Sequence, residues 1–154
     1  MSTVSLTLDE IFDLAKKTLI ANGCDDETAS ILSDLIRNAE RDGSLSHGLF
    51  RLPAYVSGLK SGKINGKGKP EVKKISSSVI KIQGNNCVAP VVLNKGLPEL
   101  AKAAKENGVA VLAINNSHHM AAMWPETEKL AEEGLVAFAC TSYKPAVAPA
   151  GAIK

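Results

Sequence analysis

The apolar positions near the start of the chain recur at intervals of three and four residues, at Leu8, Ile11, Phe12, Ala15 and Leu19. This spacing places them on one face of a helix. Thr7 and Glu10 are three residues apart and match a capping box, and Gly23 supplies a stop. The pattern therefore predicts a first amphipathic helix between Thr7 and Gly23.

A second apolar stripe follows with the same spacing, at Ala29, Leu32, Leu35, Ile36 and Ala39. Asp25 or Asp26 is a suitable N-cap for it, and Asp42-Gly43 ends it. The sequence therefore predicts two helices that pack together early in the chain.

The third helical pattern begins near Ser46 and ends at Gly62, with its apolar positions at Leu49, Leu52, Tyr55, Val56 and Leu59. Pro53 cannot lie inside an undistorted helix that begins at His47, because its ring clashes with the preceding turn and it has no N–H. We therefore expect a break or kink near Leu49.

The segment from Lys60 to Lys74 contains six lysines among glycines and Pro70. This composition is typical of a solvated connection. The sequence thus predicts a subdomain boundary, with a helical subdomain at 1–62 and an αβ subdomain at 63–154.

Short apolar runs and helical stretches alternate after the boundary. The runs predict strands at Val72–Ile75, Val79–Ile82, Val109–Ile114 and Leu135–Cys140, and helices are predicted at about Val91–Glu106 and Glu126–Glu133. The fold class is therefore α+β, a helical N-terminal subdomain followed by an αβ sheet layer. The sheet is expected to be incomplete, because residues 145–154 resemble a loop and the last strand would keep an open edge.

Composition excludes several classes of function. The 154 residues carry a net charge of +2 and only 4% aromatic residues, so we expect no nucleic-acid partner. No apolar run approaches the roughly 18 residues of a membrane span, and the N-terminus does not resemble a leader. Three widely spaced cysteines without a Cys-x-x-Cys pair indicate reduced thiols in a cytoplasm.

The strongest candidate for chemistry is Ser46-His47-Gly48-Leu49-Phe50-Arg51. Histidine titrates near neutral pH and can donate a proton, and the arginine fork matches a carboxylate with two hydrogen bonds. Ser46 could hold the imidazole or relay a proton. The alternative is structural: Arg51 caps a helix or pairs with Glu40, and His47 is a surface residue.

A second candidate is the polar turn that follows the predicted strand at Val109–Ile114. Ser117-His118-His119 could bind a metal, take part in catalysis or line a cofactor pocket; it could also be an ordinary loop. Metal ranks last, because adjacent histidines point apart and no carboxylate or cysteine lies at ligand spacing. No Gly-x-Gly-x-x-Gly follows a predicted strand, so a nicotinamide cofactor would not be held by a Rossmann turn.

These motifs resemble the malate/L-lactate dehydrogenase family, whose nicotinamide-binding fold is not Rossmann. The resemblance rests on Ser46-His47-Gly48 with Arg51, Pro53 and Tyr55, on Asn116-Ser117-His118-His119, and on Pro149-Ala150-Gly151. The run His118 to Pro125 is most similar to the Δ1-piperideine-2-carboxylate and Δ1-pyrroline-2-carboxylate reductase branch, which reduces a cyclic imine with NADPH.

The resemblance implies a role for each matching residue. His47 is the proton donor, Ser46 its relay partner and Arg51 the clamp for the substrate carboxylate. The implied cofactor contacts are His119, Met120, Ala121, Ala122 and Met123, with NADP as the cofactor and NAD as an alternative. The implied protein is a cytoplasmic homodimer acting on a small 2-imino or 2-oxo carboxylate, or a malate/L-lactate-type 2-hydroxy acid dehydrogenase.

The sequence departs from the family in two ways. Met120 replaces the common phenylalanine. Family members are about twice as long, and the Gly-Thr-Asn-Pro stretch expected after Gly151 is absent. The chain therefore resembles an N-terminal half, and the remaining hypothesis is an inactive fragment that binds a partner chain through its open sheet edge.

Overall fold

A computed structural model describes residues 4–118 and 121–141. Its helices are α1 (Leu8–Ala21), α2 (Asp26–Arg41), α3 (Leu52–Lys60), α4 (Ala89–Asn107) and α5 (Trp124–Glu132). Its strands are β1 (Glu71–Lys74), β2 (Val79–Gln83) and β3 (Val111–Asn115), and two short 3-10 turns precede α3 at Leu45–His47 and Leu49–Arg51.

The first two helices begin where the capping signals predict. The Thr7 hydroxyl accepts the Glu10 N–H at 3.2 Å, and the Glu10 carboxylate accepts the Thr7 N–H at 2.8 Å, which completes the capping box. The Asp25 carboxylate accepts the Thr28 N–H at 2.9 Å and caps α2. Gly23 follows α1 with a φ of +106°, a conformation that glycine adopts without strain. Both helix predictions are confirmed.

The third helical pattern is broken at Gly48, one residue before Leu49, as predicted. The turn Leu45–His47 ends there, the turn Leu49–Arg51 follows, and α3 begins at Leu52 with Pro53 in its first turn. Proline is well tolerated in that position, because the first N–H groups of a helix lack intrahelical partners. His47 and Arg51 therefore lie on consecutive tight turns just after the C-terminal end of α2.

The three strands form a mixed sheet in the order β1-β2-β3. Strand β1 is antiparallel to β2, with Val72 opposite Ile82, and β2 is parallel to β3, with Ile80 opposite Leu112. Helix α4 makes the crossover between β2 and β3 and packs against both strands. The α+β class is confirmed, and the crossover brings the carboxyl ends of β2 and β3 to the same edge.

Most of the buried apolar residues in the described part of the chain form one large core, and a smaller cluster surrounds Leu130. Leu32 and Ile36 of α2 belong to the same buried cluster as Ile80 of β2 and Val92 of α4. The subdomain boundary between residues 62 and 63 stays a prediction, and a common core extends across it. No helix in the described part of the chain is long and apolar enough to cross a membrane.

Two sequence predictions need correction. Ile64 is only 5% exposed and packs into the core, so the lysine-rich segment is not simply a solvated connection. Residues 135–140 form no strand, and Phe138 is 91% exposed. Leu135 and Ala137 pack on the side of Leu130, so the residues between and after them, Val136 and Phe138, point outward. Among the described residues no neighbouring strand forms backbone hydrogen bonds with this segment.

Candidate active site

The turn that carries His47 and Arg51 is held by Glu40 from the last part of α2. The Glu40 carboxylate accepts the Leu49 N–H at 2.7 Å, and it packs directly against Gly48. A Cβ atom at position 48 would overlap the Glu40 side chain, so only glycine fits between the two turns. Glu40 therefore acts on the backbone of this turn and forms no ion pair with Arg51, contrary to the structural alternative raised by the sequence.

Gly48→Ala is expected to lower the stability of the chain by about 1–3 kcal/mol, the usual cost of overpacking. The added methyl group must displace Glu40 from the Leu49 N–H and shift the turn between His47 and Arg51. Urea denaturation measures the loss, with Glu40→Ala as the matched background. The two substitutions should be less than additive, because Glu40→Ala removes the overlap; full additivity would contradict this account.

His47 is held at one ring nitrogen by serine hydroxyls. Its Nδ1 lies 3.0 Å from the Ser46 Oγ and 3.4 Å from the Ser44 Oγ, while no described residue hydrogen-bonds Nε2. Burial lowers the pKa of His47 below its ordinary value, and the nearby Arg51 charge lowers it further. The serines therefore orient the ring and leave Nε2 as the nitrogen that can exchange a proton with a ligand.

Arg51 offers an unused hydrogen-bonding group beside His47. Its Nε is buried and has no hydrogen-bond partner, and its guanidinium forms no ion pair within residues 4–118 and 121–141. Tyr55 lies nearby in the core: burial raises its pKa to about 12, and the Arg51 charge opposes that rise. A buried N–H group without a partner is costly, and a ligand carboxylate that bridges Nε and a terminal guanidinium nitrogen would satisfy it with two hydrogen bonds.

The polar turn after β3 lies at the sheet edge where β2 also ends. Asn116 adopts a φ of +52° and its carbonyl accepts the Asn86 N–H at 2.8 Å, and the His118 N–H donates to the Cys87 carbonyl at 2.8 Å. These bonds fix the turn against the loop that leads into α4. Loops at this edge of an open sheet with a parallel crossover are common ligand sites.

The predicted cofactor segment is described in part. His119 and Met120 lie outside the described residues. Ala121 is partly buried, Ala122 is buried, and Met123 is the residue immediately before α5. Ala121 and Ala122 line a cavity of about 90 Å³ between α2, α4 and α5.

The cavity is lined by a buried acid, Glu126, with one carboxyl oxygen that has no hydrogen-bond partner. Glu126 is 7% exposed, and its Oε1 makes no hydrogen bond. Burial raises the pKa of Glu126, against smaller opposing effects of its own backbone N–H and of Lys129. This carboxyl group is therefore stabilised in its neutral form relative to a solvated glutamate.

Glu126→Gln is expected to make folding stability less dependent on pH. The pKa of Glu126 is higher in the folded chain than in the unfolded chain. The contribution of Glu126 to stability is therefore intact at a pH below its pKa in the unfolded chain, and it is lost as the pH rises through its pKa in the folded chain. Glutamine does not titrate, so the variant should gain on the wild type between mildly acidic and neutral pH. Urea denaturation at mildly acidic and at neutral pH measures the free energy of unfolding of both proteins, with the exposed Glu132→Gln as control. If Glu126→Gln differs from the wild type by the same amount at both pH values, this prediction is wrong.

Sequence reasoning did not assign a role to Trp124, the first residue of α5. Its ring centroid lies 6.2 Å from that of His47, and the two ring planes meet at 76°. Ser44 was also missed as a neighbour of His47. For Trp124 the available signal was the Trp124-Pro125 pair at a predicted helix start. The proximity of Ser44 to His47 becomes visible only in the folded turn.

The family follows from comparison of the whole sequence. Residues 6–154 match the malate/L-lactate dehydrogenase family. The chain belongs to this family. The resemblance noted from the motifs is thereby confirmed, and the relatives described next are named as reductases or dehydrogenases.

A Δ1-pyrroline-2-carboxylate/Δ1-piperideine-2-carboxylate reductase from Pseudomonas syringae pv. tomato is 37% identical over 150 residues, which cover 97% of this chain and 44% of that protein. The solved structure of a Δ1-piperideine-2-carboxylate reductase from the same organism superposes with a TM-score of 0.82 at 37% identity, covering 86% of this chain and 40% of the other.

The structure of malate dehydrogenase from Pyrococcus horikoshii OT3 superposes with a TM-score of 0.79 at 30% identity, covering 85% of this chain and 38% of the other. This chain thus spans less than half the length of these family members, and it aligns both with a Δ1-pyrroline-2-carboxylate/Δ1-piperideine-2-carboxylate reductase and with a malate dehydrogenase.

Proposed function

We propose that the chain carries the proton-donor and carboxylate-binding part of an NAD(P)H-dependent oxidoreductase for small 2-imino or 2-oxo carboxylates. The favoured reaction is NADPH-dependent reduction of Δ1-piperideine-2-carboxylate or Δ1-pyrroline-2-carboxylate. One observation carries the proposal: His47, which is held through Nδ1, and Arg51, whose buried Nε has no hydrogen-bond partner, lie on consecutive turns. The names of the reductase relatives support the choice of substrate.

Arg51 and His47 have different roles in this reaction. Arg51 binds the substrate carboxylate through its fork, which fixes the neighbouring carbon and its imine nitrogen or oxo oxygen. Protonated His47 donates from Nε2 to that nitrogen or oxygen, while its Nδ1–H donates to the Ser46 Oγ, 3.0 Å away. A bound nicotinamide would supply the hydride to the carbon. The product is an amine from an imine, or a hydroxyl from an oxo acid.

The described part of the cofactor segment lies beside a small cavity. Ala121 and Ala122 line this cavity with methyl groups, and Glu126 adds a carboxyl oxygen without a hydrogen-bond partner to the same cavity. We propose Ala121, Ala122 and Met123, together with His119 and Met120, as the residues that would hold the nicotinamide end of the cofactor.

Two measurements on the purified chain test the proposal. The first follows oxidation of NADPH and NADH with Δ1-piperideine-2-carboxylate, pyruvate and oxaloacetate, and the preferred pair identifies substrate and cofactor. The second titrates pyrrole-2-carboxylate, a planar unreactive carboxylate, while NMR records the His47 ring and Arg51 side-chain signals. Turnover or saturable shifts at both residues support the site, whereas a folded chain that shows neither contradicts it.

We further propose that the protein works as a homodimer in the cytoplasm. The exposed apolar side chains Val136 and Phe138, beyond α5, support an association surface. They also favour the second candidate function, a module that binds a partner chain. Sedimentation equilibrium tests the dimer, and a monomeric mass at assay concentration would contradict it.

A further inference from the structure

The contacts of His47 restrain its ring unequally on its two sides. On one side, the restraint comes from the hydroxyls of Ser46 and Ser44. Ser46 is exposed and adjacent in sequence, and a serine hydroxyl rotates about its own bond, so it fixes the position of Nδ1 better than the tilt of the ring. A rigid neighbour on the other side is needed to define the tilt.

Trp124 supplies that neighbour from a different element. Its ring meets the His47 ring edge to face, at a centroid distance of 6.2 Å and an interplanar angle of 76°, which is a favoured geometry for aromatic pairs. The tryptophan is anchored at its backbone, where the carbonyl accepts the Thr127 hydroxyl at 2.9 Å. Buried Leu130 further fixes the same helix against α4.

The indole N–H also lies near the C-terminal end of α2. Asp42, the residue that ends α2, is bound by Arg41 at 2.7 Å; this hydrogen bond is the main reason that the pKa of Asp42 is lowered, and the Trp124 indole N–H contributes to the same effect. Trp124 thus lies between the end of α2 and the His47 turn, and it directly follows Ala121, Ala122 and Met123.

We propose that Trp124 is a positioning residue that fixes the orientation of the His47 imidazole and couples it to the segment at 121–123. The proposal rests on the function assigned above to His47, but the orientation itself can be measured without turnover. Trp124 acts through His47 and is not assigned any contact with the substrate. Its ring is the feature that matters, because an aliphatic side chain would fill the space without defining the tilt.

The test compares Trp124→Leu, which keeps apolar bulk, with Trp124→Phe, which keeps an aromatic ring. NMR of the wild type and both variants follows the His47 ring signals across a pH titration. The charged groups around the two rings are Arg51 beside His47, Glu40 at Gly48, and Arg41, Asp42 and Glu128 near Trp124, and both variants leave all of them in place.

We expect Trp124→Leu to shift and broaden the His47 signals and to move the His47 titration toward the ordinary histidine value, while Trp124→Phe stays close to the wild type. Turnover should fall about tenfold in Trp124→Leu and less than about threefold in Trp124→Phe. Wild-type His47 signals and titration in Trp124→Leu overturn the proposal.

The positioning contact of Trp124 and the proton-donor role of His47 can be disproved separately. If the His47 signals respond to Trp124→Leu but turnover is insensitive to replacement of His47, the positioning contact stands and the proton-donor role is wrong. If both variants change His47 equally, the aromatic ring is not the feature that matters, and the proposal is overturned.

Discussion

His47→Ala is expected to lower turnover by roughly 10²- to 10⁴-fold while leaving cofactor affinity nearly unchanged, because general-acid catalysis contributes about that much. The side chain is partly buried on a short turn, where it contacts Ser46 and Ser44 through hydrogen bonds and Trp124 edge to face. Steady-state kinetics measure the loss of turnover, and equilibrium binding of NADPH measures the cofactor affinity.

The pH profile of the wild type adds a signature of His47. The donor must be protonated, and its pKa is lowered below the ordinary histidine value, mainly by burial and further by the Arg51 charge. With a 2-oxo acid, whose carboxylate stays ionised, kcat/KM for reduction should therefore decline about tenfold per pH unit from a midpoint below neutral pH. The reverse oxidation needs neutral His47, so it should rise over the same range and then level off.

Exposed Lys102→Ala is the control for both measurements and should behave like the wild type. Unimpaired turnover in His47→Ala, with the variant folded, would rule out the proton-donor role.

Local signals predicted the helices well because those signals are themselves short-range interactions. The Thr7 and Glu10 pair satisfies backbone groups within a single turn, so the sequence alone determines where α1 begins. Pro53 excludes an undistorted helix whatever surrounds it. The break between His47 and Arg51, which brings both toward one site, was therefore predictable.

The misassigned segments depend on distant partners. The run from Leu135 to Cys140 has the composition of a buried strand, but a strand exists only where another backbone pairs with it. Ile64 lies among lysines and glycines in the sequence, and it is buried because its side chain packs against Gly58 of α3. Neither outcome is contained in the local pattern.

The candidate site shows the same division. His47 and Arg51 were predicted from residue chemistry and motif, because both lie within one short stretch. Trp124 approaches His47 from 77 positions further along the chain, a separation that only the packing of α5 closes. The Glu40 carboxylate at Gly48 was likewise invisible, since its role is to bind a backbone N–H.

Arg51→Lys is expected to raise the KM for the substrate roughly 10- to 100-fold with a smaller effect on kcat. Lysine keeps the charge but loses the planar fork, and hydrogen bonds to charged groups contribute about 1.5–3 kcal/mol. The buried Nε has no other partner to lose within the described chain, so the cost should appear in binding rather than in folding. Steady-state kinetics and urea denaturation separate the two.

Arg37→Lys is the matched control, because Arg37 pairs with Asp34 at 2.6 Å on the helical surface and should leave KM unchanged. Arg51→Met provides an independent check, since it removes the positive charge that helps to lower the pKa of His47. That pKa should rise, and the midpoint of the reduction profile should move to higher pH with it. If KM is unchanged in Arg51→Lys and the His47 titration is unchanged in Arg51→Met, Arg51 is not part of this site.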